Sequence, residues 1–570
     1  MLQTPIRLLG DPAALPALDA ALAAYGFDRE AGGTPVTVRT ADAVRQDERG
    51  HAPPSGPTLV VDPRPGGLAF GVFDDPANLS TLAHRLRLRR PGRPAEGAPS
   101  RCLGRLGQAD SQAAARAVAT YLAVGHAGLA HNAWVVHSDG RPLRSSPLHT
   151  LPPQEPIRHP LRRPRSHLRT PLGLLDPEIG IAYRARVVAQ IGPAVAAAVR
   201  YRFPIDSDDP TAIIANECHA AGGKAWNPAV AVERAIWEAA ERLSGTRHPD
   251  IALRRDSRTA LGERALDLDA IDLFSDRQRA RRTTGGPPEA YVTTRLDPHR
   301  VIDWVRAWPI NESDLPRWVP AAAAFYGYSR ARHPYAFAHS NGCAGGASYT
   351  DAALGAILEL IERDIVSSWF FNRIPRPAAR HTSSRVEGVR GALLRDGRDL
   401  HVLDLTADLK VPVCAAVSCR RSGPPGWVLG FAAGRTLDEA AEGAVLELVQ
   451  MIRATDDPRH PSPLTWADTA SPRDHPYLLP ADATAVITRP LGPDPLQDLS
   501  GRLATAGIDA YLVDQTHPLV GTPVVRALAP GLAFFWRRLG GRRLYRLPVE
   551  VGWSETERLE ADLNPLDLFL

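Results

Sequence analysis

One helical pattern occurs three times in this chain. In HSNGCAGGASYTDAALGAILELIERDIVSSWFFNR, residues 339 to 373, a Gly-rich turn at Gly342 to Gly346 precedes a run that predicts a helix starting near Thr350, with the Thr350 hydroxyl as its cap. At about 100° per residue, Asp351, Glu359 and Glu362 fall within roughly 80° of one another, while Leu354, Ile357, Leu360 and Ile361 cover most of the remaining circumference. The helix therefore reads as apolar nearly all round with one acidic stripe. Ionised carboxylates are too costly to bury unpaired, so the stripe needs cations: Arg363, another helix, or metal ions.

The acidic spacing recurs earlier, in AVAVERAIWEAAERLSG, residues 229 to 245, where Glu238, Glu241 and Arg242 match Glu359, Glu362 and Arg363. Here Val232, Ala235, Ile236, Ala239 and Leu243 form the apolar side; Asn227 and Pro228 start the helix and Ser244 with Gly245 ends it. A third helix is expected from Thr436, which with Glu439 makes a capping box, through Glu447 and Gln450 to Arg453. Three helices thus present acidic or amide groups three residues apart, and two carry Glu-x-x-Glu-Arg. Clustered carboxylates at this spacing suit Mg²⁺, a hard ion that typically bridges carboxylates to nucleotide phosphates.

Alternating and short apolar runs supply the strands. Up to residue 150 they predict a small α/β domain: strands at Ile6 to Leu9, Val36 to Arg39, Thr58 to Val61 with a hairpin partner at Gly67 to Val72, and Trp134 to His137, with helices over Ala13 to Tyr25 and Gln112 to Val124. Residues 151–171, crowded with proline and arginine, form the expected linker, and 172–570 the main domain. There, strands are expected at Arg186 to Ile191, Val301 to Val305, Leu400 to Leu405, Val411 to Val417, Trp427 to Phe431, Ala485 to Ile487 and Tyr511 to Val513. Asp404 with Thr406, and Asp514 with Thr516, each predict an Asx or Ser/Thr turn before a second buried strand. The fold class is α+β, sheets covered by helices, with the acidic helices facing a cleft.

Composition narrows the function. A length of 570 residues, 44% hydrophobic and 23% charged, supports several domains of ordinary soluble character, and a net charge of +4 leaves no nucleic-acid footprint. The five cysteines, with no Cys-x-x-Cys pair, point to reduced core thiols rather than a disulfide framework or zinc site. The first residues show no signal-peptide pattern and no apolar run reaches membrane-spanning length, so a cytoplasmic location without membrane attachment is expected.

With these motifs in view, the chain resembles the YcaO family over most of Ser166 to Leu570. The resemblance is carried by Gly223-Lys224 leading to Glu238-Ala-Ala-Glu241-Arg242, by Ser340-Asn341-Gly342 leading to Glu359-Leu-Ile-Glu362-Arg363-Asp364, by Asp404-Leu-Thr406-Ala-Asp408 with Val411-Pro412-Val413, by Glu447 with Gln450, and by Asp514 through Pro530-Gly531-Leu532. It departs at Arg234, where a serine is usual, at Ala347, where an asparagine is common, and at Asp351, where a glutamate is.

The resemblance implies a YcaO-like domain that binds ATP through carboxylate-held Mg²⁺ and modifies backbone amides of ribosomal precursor peptides. The implied metal ligands are Glu238, Glu241, Glu359 and Glu362; the implied nucleotide site adds Arg242, Asp351, Arg363, Glu447 and Gln450. The implied reaction is cyclodehydration of Cys, Ser or Thr to azolines in the making of thiazole/oxazole-modified natural products. Alternatives are a non-catalytic subunit that binds peptide or partner, and a thioamide-forming enzyme. The N-terminal domain is weakly similar to the degenerate ubiquitin-activating-like scaffold of azoline-forming members, so a separate leader-peptide-binding protein is an expected partner. Pairing into a homodimer is also implied.

Overall fold

The computed structural model describes, besides seven strands before residue 150, residues 159–162, 174–175, 181–201, 219–247, 251–282, 291–311, 315–456, 466–517, 520 and 522–568. The chain forms two compact units, one of Met1–Gln154 with Leu172–Arg184 and Arg200–His219, the other of the remaining residues.

In the first unit, β1 (Ile6–Leu9), β2 (Phe27–Asp28), β3 (Thr34–Thr40), β4 (Thr58–Arg64), β5 (Gly67–Phe73), β6 (Ala133–Ser138) and β7 (Arg141–Pro147) form a single sheet in the order β2-β1-β3-β4-β5-β6-β7. Pairing is parallel from β2 to β4 and antiparallel from β4 to β7. The strands expected here coincide with β1, β3, β4, β5 and β6, the hairpin included. The helices expected at 13–25 and 112–124, and most of the expected linker, lie outside the described residues.

The second unit repeats one construction. β8 (Ala182–Ile191), β9 (Ala194–Tyr201) and β10 (Ala220–Ala225) form a sheet in the order β10-β9-β8, followed by helix α1 (Pro228–Ser244). A larger sheet runs β11 (Arg254–Asp256), β12 (Ile302–Pro309), β18 (Tyr511–Asp514), β19 (Val524–Leu528), β14 (Cys343–Gly345), with β13 (Arg317–Pro320) also on β12; helix α2 (Tyr349–Asn372) follows β14. The third sheet is β15 (Arg398–Asp404), β16 (Val413–Arg420), β17 (Val428–Ala433), followed by α3 (Leu437–Asp456). In each case the strand before the long helix lies at the end of its strand order.

Alternation explains why β16 reads as a continuous apolar run. Val413, Ala415 and Val417 face the core around α2, while Cys414 and Ala416 face a second core shared with α3 and the helix Ser384–Arg395. α2 lies between β16 and β17 on one side and β14 and β19 on the other, so Ile357, Ile361, Ile365, Trp369 and Phe370 are buried around it. Both expected Asx turns are present: the Thr406 and Thr516 amides donate to Asp404 and Asp514 at 2.9 Å each. The three described cysteines, Cys343, Cys414 and Cys419, are free and buried.

Three local expectations need correction. The α2 cap is Ser348, whose hydroxyl accepts from Asp351 N, so the helix starts before Thr350. Thr436 does cap α3, but the Glu439 carboxylate turns to the Arg435 amide and guanidinium instead of closing a capping box. Residues 485–487 form no strand: Ile487 is 84% exposed, and an apolar triplet without a face to bury gains nothing from pairing.

Strand and helix meet backbone to backbone at glycine. A Cβ on Gly223 would lie 2.0 Å from Ala231 O, and one on Gly430 2.3 Å from Leu448 N. Gly223→Ala should therefore destabilise the protein by about 1–3 kcal/mol or more, because neither contact is a flexible side-chain tip. Gly501→Ala, where a Cβ meets nothing within 4 Å inside the exposed face of a helix, should stabilise it by about 0.5–1 kcal/mol. Denaturant midpoints of the two variants check the contrast.

Candidate ATP and metal site

The three strand–helix units bring their glutamates to one place by the same device. Gly222 N donates to Glu238 Oε2 at 3.2 Å, Gly342 N to Glu359 Oε2 at 3.0 Å and Phe431 N to Glu447 Oε2 at 3.2 Å. Donor and acceptor are 16, 17 and 16 residues apart. A helix glutamate thus occupies an amide on the strand that leads into its own helix, which fixes both the carboxylate and the crossing of the two elements.

Cations hold the other oxygens of Glu238 and Glu359 and share Glu447 Oε2 with the Phe431 amide. Arg242 Nη2 lies 3.0 Å from Glu238 Oε1; Arg363 reaches Glu359 at 3.3 Å and Glu362 at 3.2 Å; Lys224 Nζ lies 3.2 Å from Glu447. The Arg363 guanidinium also stacks on Phe535 at 4.4 Å, which leaves it little freedom to leave its carboxylates. Glu241 accepts from Gly345 N and feels Glu238 and Glu359; Glu362 feels Glu447 and Glu359. Five carboxyl groups and three cations, Lys224, Arg242 and Arg363, therefore form one connected group with an excess of acidic groups over cations.

That excess shows in the titration of two members. Burial, joined by Glu238 and Glu359 and opposed by Arg242, pushes the Glu241 carboxyl up to about 8. Burial, joined by Glu447 and Glu359 and opposed by Arg363, pushes Glu362 up to about 7. Burial works against the charge on Arg242 and Arg363, but their glutamates overcome it and hold both guanidinium groups above their usual range.

Gln450 joins the group from α3, its amide lying where a Cβ on Gly222 would stand, 2.3 Å away. Asp351 does not join it. It lies in the exposed first turn of α2, about 12 Å along the axis from Glu359, and accepts from the Ser348 hydroxyl at 2.7 Å. Arg234 donates to Lys224 O at 2.7 Å, and both Glu238 oxygens are taken by Arg242 and Gly222. Lys224 and the amides of Gly222, Gly342 and Phe431 were given no place in the site by the sequence, although Lys224 and Gly342 lie in its motifs. The recurring interval of 16 or 17 residues between strand and glutamate is the signal that would have found them.

These residues fit a nucleotide with its divalent ion. The donors are hard oxygens, they outnumber the cations beside them so that burial and this shortage keep two of them protonated to about pH 7–8, and Glu362 Oε1 is buried without a well-aligned hydrogen bond despite its ion pair. Among the described residues, no three carboxylate, imidazole or thiol groups stand close enough to enclose an ion unaided. Phosphate oxygens would have to complete the shell, as is usual for Mg²⁺.

Comparison with known proteins agrees with this geometry. The family described as YcaO cyclodehydratase, ATP- and Mg²⁺-binding, matches residues 222–533, more than half of the chain. The chain belongs to the YcaO family. It is accordingly an enzyme of the ATP- and Mg²⁺-dependent cyclodehydratase kind. It is similar to a solved heterocyclase in complex with substrate and cofactor, at 25% identity and a TM-score of 0.80, over 99% of this chain and 86% of that one. The heterocyclase TruD shares the fold, with a TM-score of 0.70 and 23% identity over 99% and 84% of the two chains. An uncharacterised protein of Methanothermobacter thermautotrophicus is 26% identical over 375 residues, 61% of this chain and 87% of that protein. Among the described residues, no helix of this YcaO protein is long and apolar enough to cross a membrane.

Unfolded, Glu241 and Glu362 titrate near 4.5; folded, they keep their protons to about 8 and 7. Between those values the native state binds more protons than the unfolded state, so metal-free stability is greatest on the acid side and falls as pH rises through 7 to 8. Glu241→Gln removes the larger part. In metal-free buffer its melting temperature should fall less than that of wild type between about pH 5.5 and pH 8.5. Parallel curves would show that Glu241 does not carry the effect.

Proposed function

We propose that this protein converts Cys, Ser or Thr residues of a ribosomal precursor peptide to azolines, with Glu238, Glu241, Glu359 and Glu362 holding Mg²⁺ and Arg242, Arg363, Glu447 and Gln450 completing the nucleotide site. The observation that carries this reading is the gathering of five glutamates from three strand–helix units around only three cations. Resemblance to a heterocyclase solved with substrate and cofactor supports the substrate class.

In the reaction, the side-chain thiol or hydroxyl adds to the carbonyl carbon of the preceding residue, the carbonyl oxygen departs as phosphate, and the amide nitrogen gives up its proton to form the C=N bond. ATP supplies the phosphoryl group that makes this oxygen a leaving group, and Mg²⁺ supplies positive charge beside the phosphates. The chain's part is positioning. Arg363 and Arg242 keep the glutamates from splaying under their mutual repulsion. Strand amides fix the carboxylate rotamers, so little reorganisation is needed when the cations arrive. Lys224, on the strand leading into α1, stands ready to exchange Glu447 for a phosphate oxygen. The partners in this reading are the precursor peptide and a separate leader-binding protein, and the setting is the cytoplasm.

Purified protein with Mg²⁺, ATP, the cognate precursor and its leader-binding partner should release phosphate while the peptide loses about 18 Da per modified residue. A gain of about 16 Da would indicate oxygen-to-sulfur exchange instead, and an unchanged peptide mass without phosphate release would overturn the proposal. Glu359→Gln, which can still accept from Gly342 N, should stay folded and lose at least about 100-fold in turnover. Near-normal rates would release Glu359 from the metal site.

A further inference from the structure

A cavity of about 330 Å³ opens beside the carboxylate group, walled by Phe325, Tyr326, Tyr328, Phe337 and Trp536. Arg242 belongs to both places: it lines the cavity while its guanidinium pairs with Glu238 and feels Glu241. His339 and Ser340 also line it, just ahead of Gly342, the donor to Glu359. At this size the cavity is at the small end of ligand pockets, which span roughly 300–1,000 Å³.

Among the lining side chains only Arg242 is charged, and that charge is already committed to glutamates; Arg247 and Arg330 lie over the Tyr328 and Phe337 rings at 5.2 and 4.5 Å without lining the cavity themselves. Burial, with Arg526 and Arg538 nearby, holds His339 well below its ordinary value, so the ring is uncharged. Burial raises the Tyr326 and Tyr328 phenols, which stay protonated. His339 is packed edge-on against Phe534 and Trp536 at 4.6 and 5.7 Å, which fixes the wall. The Tyr328 hydroxyl is sealed from solvent and has no hydrogen-bond partner. Sealed in this way, the hydroxyl is out of reach from the cavity, to which Tyr328 offers its ring.

Resting on the reading above, we propose that this cavity receives the side chain of the substrate residue that precedes the modified Cys, Ser or Thr, and selects uncharged apolar or aromatic side chains there. The reacting carbonyl belongs to that residue, and its side chain is attached through the α-carbon to the reacting carbon. A carbonyl oxygen brought to the phosphate end of a nucleotide on the glutamates carries that side chain into the neighbourhood of Arg242, where this aromatic cavity opens. A charged side chain there would lose its water against a lining whose one ion, Arg242, is already paired. An apolar one would bury its surface against the rings.

The test uses the full chain with its leader-binding partner and precursor peptides that keep the leader and carry one Cys, identical except for the residue preceding it: Gly, Leu, Phe or Asp. Binding is measured by calorimetry with Mg²⁺ and a non-hydrolysable ATP analogue, and ring formation by mass with ATP. Leu and Phe should bind at least about 10-fold more tightly than Gly, with Asp no better than Gly. Tyr328→Ala and Phe337→Ala, both of half-buried residues, should cut that ratio to about 3 or less while nucleotide affinity is unchanged. Tyr328→Phe should stay folded and keep the apolar preference. Equal affinities for the four peptides, no peptide binding, or variants that alter nucleotide affinity but not the peptide ratio would overturn the assignment. Discrimination in binding without any ring formation would leave the cavity standing and defeat the proposed chemistry instead.

Discussion

A glutamate that accepts a hydrogen bond from the strand preceding its own helix is the interaction on which this molecule depends. Repeated at Glu238, Glu359 and Glu447, it sets where each long helix lies against its strand and turns the carboxylates of three distant segments toward one another. Like charges brought together in this way repel, and a fold that contained nothing else would open. Arg242, Arg363 and Lys224 oppose that repulsion without cancelling it. The site is therefore held in a state that further positive charge relieves. Its glutamates contribute less to the stability of the empty protein than well-packed apolar residues would, and the difference is available for binding.

The surrounding packing makes this tolerable. α2 is enclosed by apolar side chains from two sheets, and Trp369 and Phe370 at its far end are fully buried. Beyond the acidic stripe, Asp364 is wholly buried, accepts from Ala533 N and pairs with Arg543 at 2.7 Å, while Arg543 continues to Asp408 at 2.8 Å. Charge on α2 is thus either committed to a neighbour or gathered at the site. Breaking the Asp364 pair would leave a buried charge alone, which is far more costly than losing an exposed ion pair.

Much of this was legible in the residues because two periodicities were strong. Glu-x-x-Glu-Arg at Glu238 and Glu359 marked one face of each helix, and the apolar positions around it marked the rest. The Asx turns at Asp404 and Asp514 were legible for a local reason, since the side chain bonds its own backbone two residues on. What stayed hidden was non-local. β9, β10 and β14 are rich in Ala and Gly, whose small side chains give no strand signal, yet that smallness lets Gly223 lie against the α1 backbone. Asp351 shared the acidic stripe by angle, but angle says nothing of height along the axis, and the first turn is too far from Glu359 to share its partners. Ala485 to Ile487 had a strand's composition and no partner strand, which a sequence window cannot see.

The three strand–helix units are separated by long stretches of chain, with their glutamates at 238, 359 and 447. A nascent polypeptide emerging from the ribosome exposes the first of them well before the last has been synthesised. Until α3 has docked, Lys224 has no Glu447 to meet and Gln450 does not yet cover Gly222. The connected group of carboxylates and cations is thus assembled only when the second unit is complete.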